Sequence, residues 1–215
     1  MTRPARIDDL VRERIEIVSG TEVAGNLRPH DAGPGKEVPS DLRPDSWPQM
    51  FRDEAAHLRS CLPGELIRRI EHFGSTAIPG LAAKPIVDML VEVTDLAATR
   101  ERITPILESQ GYDYFWRPTH GDDGPPWYAW FIKRDPRTDA RTHHIHMVEA
   151  DFGEHWDRLL FRDYLIARPD LAREYEALKI ALASESPEDR IAYTRGKTEF
   201  IVRITAEAKR HYAPR

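Results

Sequence analysis

The sequence predicts an α/β protein of the α+β kind, with a mixed sheet of four or five strands packed against a C-terminal helical bundle. Three observations lead there. The run Ile86-Val87-Asp88-Met89-Leu90-Val91-Glu92-Val93 is β-branched and aliphatic, is bounded by Pro85, and reads as a buried strand. Residues 127–135 (WYAWFIKRD) and 141–150 (RTHHIHMVEA) are two strand-like runs joined by Pro136-Arg137-Thr138-Asp139, a hairpin pattern. Residues 154–211 carry helical periodicity almost throughout, and Pro169 and Pro187 divide them into three helices.

The other elements follow in chain order. Residues 14–19 (RIEIVS) alternate apolar and polar side chains as a strand does. Residues 20–46 are rich in Gly, Pro, Asp and Ser and read as a long loop, which the family that the later blocks resemble marks as an insertion. Trp47-Pro48 opens a helix, since proline's missing N–H costs nothing in the first turn. Phe51, Ala55, Leu58 and Leu62 then recur at helical spacing on the face that meets the core, and Pro63-Gly64 stops the helix. Residues 67–74 read as a strand that runs into the Gly74-Ser75 turn. Residues 95–112 form an amphipathic helix that ends at Gly111, and Asp122 to Pro126 read as a plain loop. Ser186-Pro187-Glu188-Asp189 has the composition of a helix start.

Composition narrows the function. At 215 residues, 40% of them hydrophobic, the chain makes one domain, 1–215, whose helical part begins at about 154. A net charge of -5 supplies no general attraction for nucleic acid or an anionic membrane. No run reaches the ~20 apolar residues needed to cross a bilayer, and the N-terminus lacks the apolar stretch of a secretory signal. A single cysteine, Cys61, excludes an internal disulfide and suits a cytoplasmic location.

The chemistry concentrates between residues 72 and 93. Twelve residues separate Ser75 from Asp88. Glycine lets backbone N–H groups approach an anion, serine adds a donor, and a strand carboxylate can hold a divalent cation. Glu92 lies on the Asp88 face of the strand but ~13 Å along it, too far to share one ion. His144 and His146 point to one face of their own strand. If that strand neighbours the Asp88 strand, Asp88, His144 and His146 converge, a donor set that suits Zn²⁺, Mn²⁺ or Fe²⁺ better than Mg²⁺ and also suits phosphate contact or general-base catalysis. Lys84 stands just before the strand, within reach of Gly74-Ser75.

Gly-Ser, a short spacer and a strand acid resemble the signature of the DNA polymerase β-like nucleotidyltransferases. The blocks EHFGSTAIPGLAAKPIVDMLVEV (71–93), HHIHMVE (143–149), FRDYLIARPDLAREYEALK (161–179) and YTRGKTEFI (193–201) resemble the GrpB family, a branch of that superfamily, over roughly residues 46–205. The resemblance implies the nucleotidyltransferase-like fold, a nucleotide or phosphorylated small molecule as ligand, and a divalent metal, Mg²⁺ or Mn²⁺, on Asp88. It also implies phosphate or nucleotide contacts from Gly74, Ser75, Thr76, Lys84, Tyr193 and Lys197. Arg162, Tyr164, Tyr175 and Lys179 match residues that recur in the same pattern. Tyr193 and Lys197, four apart, share one helix face.

One position departs from the superfamily. Residue 90 is leucine where a second acid belongs, so the strand offers one metal carboxylate at most. The leading expectation is a nucleotidyltransferase-like transferase. Two rivals stand beside it: a phosphate-binding module without catalysis, and a metal-dependent enzyme of another class built on Asp88, His144 and His146.

Overall fold

The computed structural model describes residues 44–120, 124–185 and 190–213. The expected strand at 14–19, the insertion at 20–46 up to residue 43, and the helix start at 186–189 lie outside these residues.

Among the described residues, five strands form one mixed sheet in the order β1-β2-β5-β4-β3: β1 Ile67–Phe73, β2 Val87–Val93, β3 Asp113–His120, β4 Gly124–Arg134 and β5 Arg141–Val148. All neighbours are antiparallel except β2 and β5, which run parallel with Asp88 opposite His144 and Leu90 opposite His146. The 136–139 connection makes the expected hairpin. Asp135 shapes it, its carboxylate accepting from the backbone N–H groups of Arg137 and Thr138, both at 2.9 Å.

Pairing fixes two faces. One face carries Val87, Met89, Val91, Val93, Ala129, Phe131, Ile145 and Met147. It is covered by α1, Trp47–Cys61, and by α2, a helix in three contiguous pieces: Leu96–Ala98, the π-turn Thr99–Ile103 and Thr104–Ser109. Pro105 has no N–H to donate to the preceding turn, and the π-turn absorbs that lost bond, with the Thr104 N–H reaching the Thr99 carbonyl. Asp95 caps the start, accepting from the Ala98 N–H at 2.5 Å.

Within α1, Leu58 is fully buried, whereas the expected core residues Phe51 and Ala55 are only partly so. Glu54 is buried on the same helix. It accepts from the Tyr112 hydroxyl at 2.5 Å and pairs with the Lys133 ammonium, which also stands over the Tyr112 ring. Burial and the neighbouring carboxylate push the Tyr112 hydroxyl pKa up. Glu54→Gln keeps the shape and one acceptor but loses the charge. A loss of about 1–2 kcal/mol is expected from urea unfolding. An unchanged midpoint would mean that the pair contributes nothing to stability.

The second face carries Phe73, Leu90, Tyr128, Trp130, Ile132 and Val148, with Asp88, His144 and His146 among them. Trp156 and Leu159 of α3, Gly153–Ala167, pack on it. The C-terminal half continues as α4, Pro169–Glu185, α5, Arg190–Gly196, and α6, Thr198–Tyr212. Four helices therefore stand where three are expected, because the chain breaks again at Lys197. There the Gly196 position abuts the Leu182 side chain, and a Cβ added at it would come within 2.3 Å. The bundle has its own core of Ile78, Leu81, Leu165, Tyr175, Phe200 and Ile204.

Two sequence readings are corrected. Residues 113–120 form an edge strand that the pattern did not announce, since Pro118 interrupts its alternation; proline is tolerated at an edge, where no partner needs its N–H. Gly124-Pro125-Pro126, read as loop, opens β4. No helix among the described residues is long and apolar enough to cross a membrane.

Candidate functional site

The site begins where β1 ends. Gly74 takes φ 75 and ψ -172, a conformation essentially confined to glycine, and starts the short turn Ser75–Ala77. Its missing side chain is what lets Asp88 come close: a Cβ at position 74 would stand 2.5 Å from Asp88 Oδ2. Arg162 of α3 braces the approach, donating to the His72 carbonyl at 2.5 Å and to Glu71 at 3.3 Å.

Asp88 Oδ1 lies 3.2 Å from His144 Nδ1 on the parallel neighbour strand. A carboxylate only accepts, so His144 carries its proton on Nδ1, and in the neutral ring Nε2 is left as an acceptor. That Nε2 is buried and has no hydrogen-bond partner among the described residues. Gly74, Asp88 and His144 are thus brought together, whereas the expected convergence also included His146.

His146 goes elsewhere. Its ring stacks on Tyr128 and meets Phe73 edge-on, and its Nδ1 lies 3.4 Å from an Arg158 Nη1. Burial first, then the charge of Arg158, hold its pKa well below the ordinary histidine value. A cation at its ring nitrogen opposes use of that nitrogen as a metal ligand. Glu92, on the same face, is paired with Arg69 at 2.8 Å. Position 90, where a second carboxylate would stand, is a fully buried leucine. Among the described residues no group of three or more His, Cys, Asp or Glu is arranged to hold a metal ion. The donor set does not fit a two-carboxylate metal centre.

What gathers at the turn instead is positive charge. Lys179 of α4 donates to the Ala82 carbonyl at 2.5 Å and to the Ser75 hydroxyl at 3.2 Å. Glu176, three residues earlier on the same helix face, accepts from the Ala82 N–H at 2.7 Å. Both backbone groups of Ala82 are thus clamped by α4, and this fixes the loop that carries Lys84. The Lys84 ammonium stands 5.2 Å from the Tyr193 ring centroid, and the Lys197 ammonium 4.4 Å from the same ring.

The lysines feel one another. Lys179 is pushed down to about 8, by burial first and then by the charge of Lys197. Lys197 is also pushed down to about 8, by burial and then by Lys84, with Asp88 opposing. No carboxylate forms an ion pair with Lys179 or Lys197 among the described residues. Tyr175 lies beneath Lys179, its ring centroid 5.0 Å away, and burial pushes its hydroxyl pKa up.

Thr76 differs from the other expected contacts. Its side chain is buried, its hydroxyl donating to the Ile86 carbonyl at 3.3 Å and meeting His72 Nε2 at 3.0 Å. It latches the turn to the base of β2 and has no lone donor to offer a ligand. Gly74, Ser75, Asp88, Lys84, Tyr193 and Lys197, grouped by the motif and the family resemblance, stand in one region, and Lys179, which received no role of its own from either, stands with them. The missed signal was Lys179 and Glu176 at helical spacing, two opposite charges beside a loop that must be held.

The chain is similar to known proteins over most of its described residues. The GrpB protein family model matches residues 41–207. The chain is 42% identical over 166 residues to a UPF0157 protein of Pseudomonas aeruginosa, covering 76% of this chain and 64% of that protein. It is 37% identical over 177 residues to the UPF0157 protein YqkA of Bacillus subtilis, covering 82% of this chain and 49% of that one. The chain thus spans about half to two thirds of the length of these relatives. A dephospho-CoA kinase of Mycolicibacterium paratuberculosis is 28% identical over 180 residues, 74% of this chain and 42% of that protein. Among solved structures, the conserved protein GrpB from Enterococcus faecalis superposes with a TM-score of 0.68 at 34% identity, over 79% of this chain and 96% of that one.

Proposed function

The chain belongs to the GrpB family, and from that premise we propose that it binds a phosphorylated small molecule, of the nucleotide or coenzyme type, with the phosphates lodged between the Gly74-Ser75 turn and Lys84, Lys179 and Lys197. One observation carries this reading. Buried Lys179 reaches Ser75 of the glycine turn, half-buried Lys197 and exposed Lys84 flank one Tyr193 ring, and the charge of Lys197 acts on Lys179, while Lys179 and Lys197 form no ion pair among the described residues. Buried like charges are costly unless a counter-charge joins them, and a phosphate chain is the small-molecule group with enough negative charge to do so. The similarity to part of a dephospho-CoA kinase supports a ligand of this class. A cytoplasmic setting, which the single cysteine suits, supplies such ligands.

The Asp88–His144 pair is the candidate for chemistry. Asp88 holds the imidazole in the tautomer whose Nε2 can accept a proton, as a general base must. Nucleotidyl transfer with the lysines neutralising the phosphates is the reaction this arrangement fits best. Leu90 is the specific observation that favours the second reading, phosphate binding without transfer, since it removes the second metal carboxylate.

Thermal-shift titration separates ligand classes. ATP, coenzyme A and inorganic pyrophosphate are expected to raise Tm by mass action, whereas adenosine, which lacks phosphate, is not. Equal shifts with adenosine and ATP would overturn the phosphate reading.

The lysines also set a pH dependence. Binding needs their protonated forms, so pyrophosphate affinity is expected to be full below about pH 8 and to fall as pH rises above it. Stability moves the other way. Both folded-state pKa values are depressed, so between about 8 and the ordinary lysine value the unfolded chain binds more protons than the folded one, and stability of the unliganded protein rises with pH across that window. Calorimetric titrations and melting curves at pH 7 and pH 9.5 check both signs.

A further inference from the structure

The lysine cluster is not the only concentration of cations near Asp88. On the second sheet face, Arg158 of α3 lies over the Phe73 ring, 5.4 Å from its centroid, and Arg117 of β3 over the Trp130 ring at 4.8 Å. Neither guanidinium forms an ion pair among the described residues. The carboxylates of Asp88 and Glu154 act on Arg158 only at longer range. His146 completes the group, one ring nitrogen 3.4 Å from the Arg158 guanidinium and its ring stacked on Tyr128. Arg158 and His146 are half-buried and keep some accessible surface.

Two buried polar atoms there lack partners. Trp130 is 8% exposed, and its indole N–H makes no hydrogen bond among the described residues. Nor does Nε2 of His144, whose ring meets Trp130 edge-on with centroids 5.2 Å apart. A buried donor without an acceptor is costly, and native structures rarely keep one without a water, an ion or a ligand to accept it. The donors are of one kind: two guanidinium groups and an indole N–H, amid aromatic rings.

We propose that Arg158, Arg117, His146, Trp130, Tyr128 and Phe73 form a second ligand subsite, distinct from the lysine cluster, which takes an aromatic oxyanion. Guanidinium forks match the two oxygens of a carboxylate or phosphate, and the rings match a planar apolar body. The charge of Asp88 acts on both Lys197 and Arg158. A ligand on Trp130 would lie beside His144, the partner of Asp88. The subsite rests on residues that the phosphate reading does not use.

The test uses benzoate and phenyl phosphate as separate probes, so that a carboxylate and a phosphate source are compared, with benzamide as the neutral counterpart. In the wild-type protein, the indole N–H resonance of Trp130, assigned through Trp130→Phe, is expected to shift on titration with at least one of the two anions and to stay in place with benzamide. Arg158→Gln is expected to weaken that anion by at least about tenfold in calorimetry while inorganic pyrophosphate still binds. Arg117→Gln, on an edge strand, is expected to weaken it in the same direction and serves if Arg158→Gln does not fold. A Trp130 resonance that ignores both anions, or responds equally to benzamide, overturns the proposal. So does anion affinity unchanged in a folded arginine variant. Failure of pyrophosphate to bind the wild type would sink the lysine reading and leave this one standing.

Discussion

Gly74→Ala is expected to remove pyrophosphate binding almost entirely. The added methyl would stand 2.5 Å from Asp88 Oδ2, well inside van der Waals contact. The backbone at φ 75 and ψ -172 also costs a non-glycine residue on the order of 1–3 kcal/mol. If the turn relaxes, Ser75 leaves Lys179. If it holds, Asp88 is driven from His144. Either way the arrangement that faces the lysines is lost. Calorimetry should show affinity down by more than about tenfold, equivalent to about 1.4 kcal/mol, and a lowered Tm. A variant with unaltered Kd would show that the close approach of the turn to Asp88 is not part of the site.

Leu90→Asp is expected to cause the greatest loss of stability. Adding a second acid to the Asp88 strand is the natural way to ask whether a metal centre is merely one substitution away. The structure argues otherwise, because Leu90 is fully buried among Phe73, Tyr128, Trp130, Ile132 and Val148. A carboxylate there loses water and gains no designed partner, at a cost of roughly 4 kcal/mol or more. Against the roughly 5–15 kcal/mol of a typical domain, that leaves little. Burial would raise the folded-state pKa of the new acid, so the folded form binds more protons and the defect deepens as pH rises above the unfolded carboxylate value. Urea unfolding at pH 5 and pH 7.5 should show the smaller deficit at pH 5. A stable variant with tighter Mn²⁺ binding would show instead that position 90 opens on the cleft.

The legible parts of this protein were those that local pattern controls. Alternation in 141–150 put His144 and His146 on one face, and the apolar run around Asp88 marked a buried strand; that the two strands are parallel neighbours, with Asp88 opposite His144, came from the structure. The fate of His146 was not legible. Side-chain direction is local, but the arginine that occupies its ring nitrogen comes from a helix twelve residues on, and no spacing rule reports tertiary contacts. Lys179 was hidden for the same reason. Its partner Ser75 is 104 residues away, and only the packing of the helical half against the sheet joins them. The strand at 113–120 escaped because Pro118 breaks the period on which strand recognition depends.

The central claim is that a phosphate chain is held by lysines from two halves of the fold. It is tested most directly by titrating inorganic pyrophosphate calorimetrically into the wild-type protein and into Lys197→Met and Lys179→Met at pH 7. Methionine keeps much of the apolar stem of each lysine and removes the charge, and circular dichroism verifies the fold. Binding to the wild type is expected, weakened at least about tenfold in each variant, and lost further as salt is raised. Wild-type affinity in both variants, or no binding to the wild type, would contradict it.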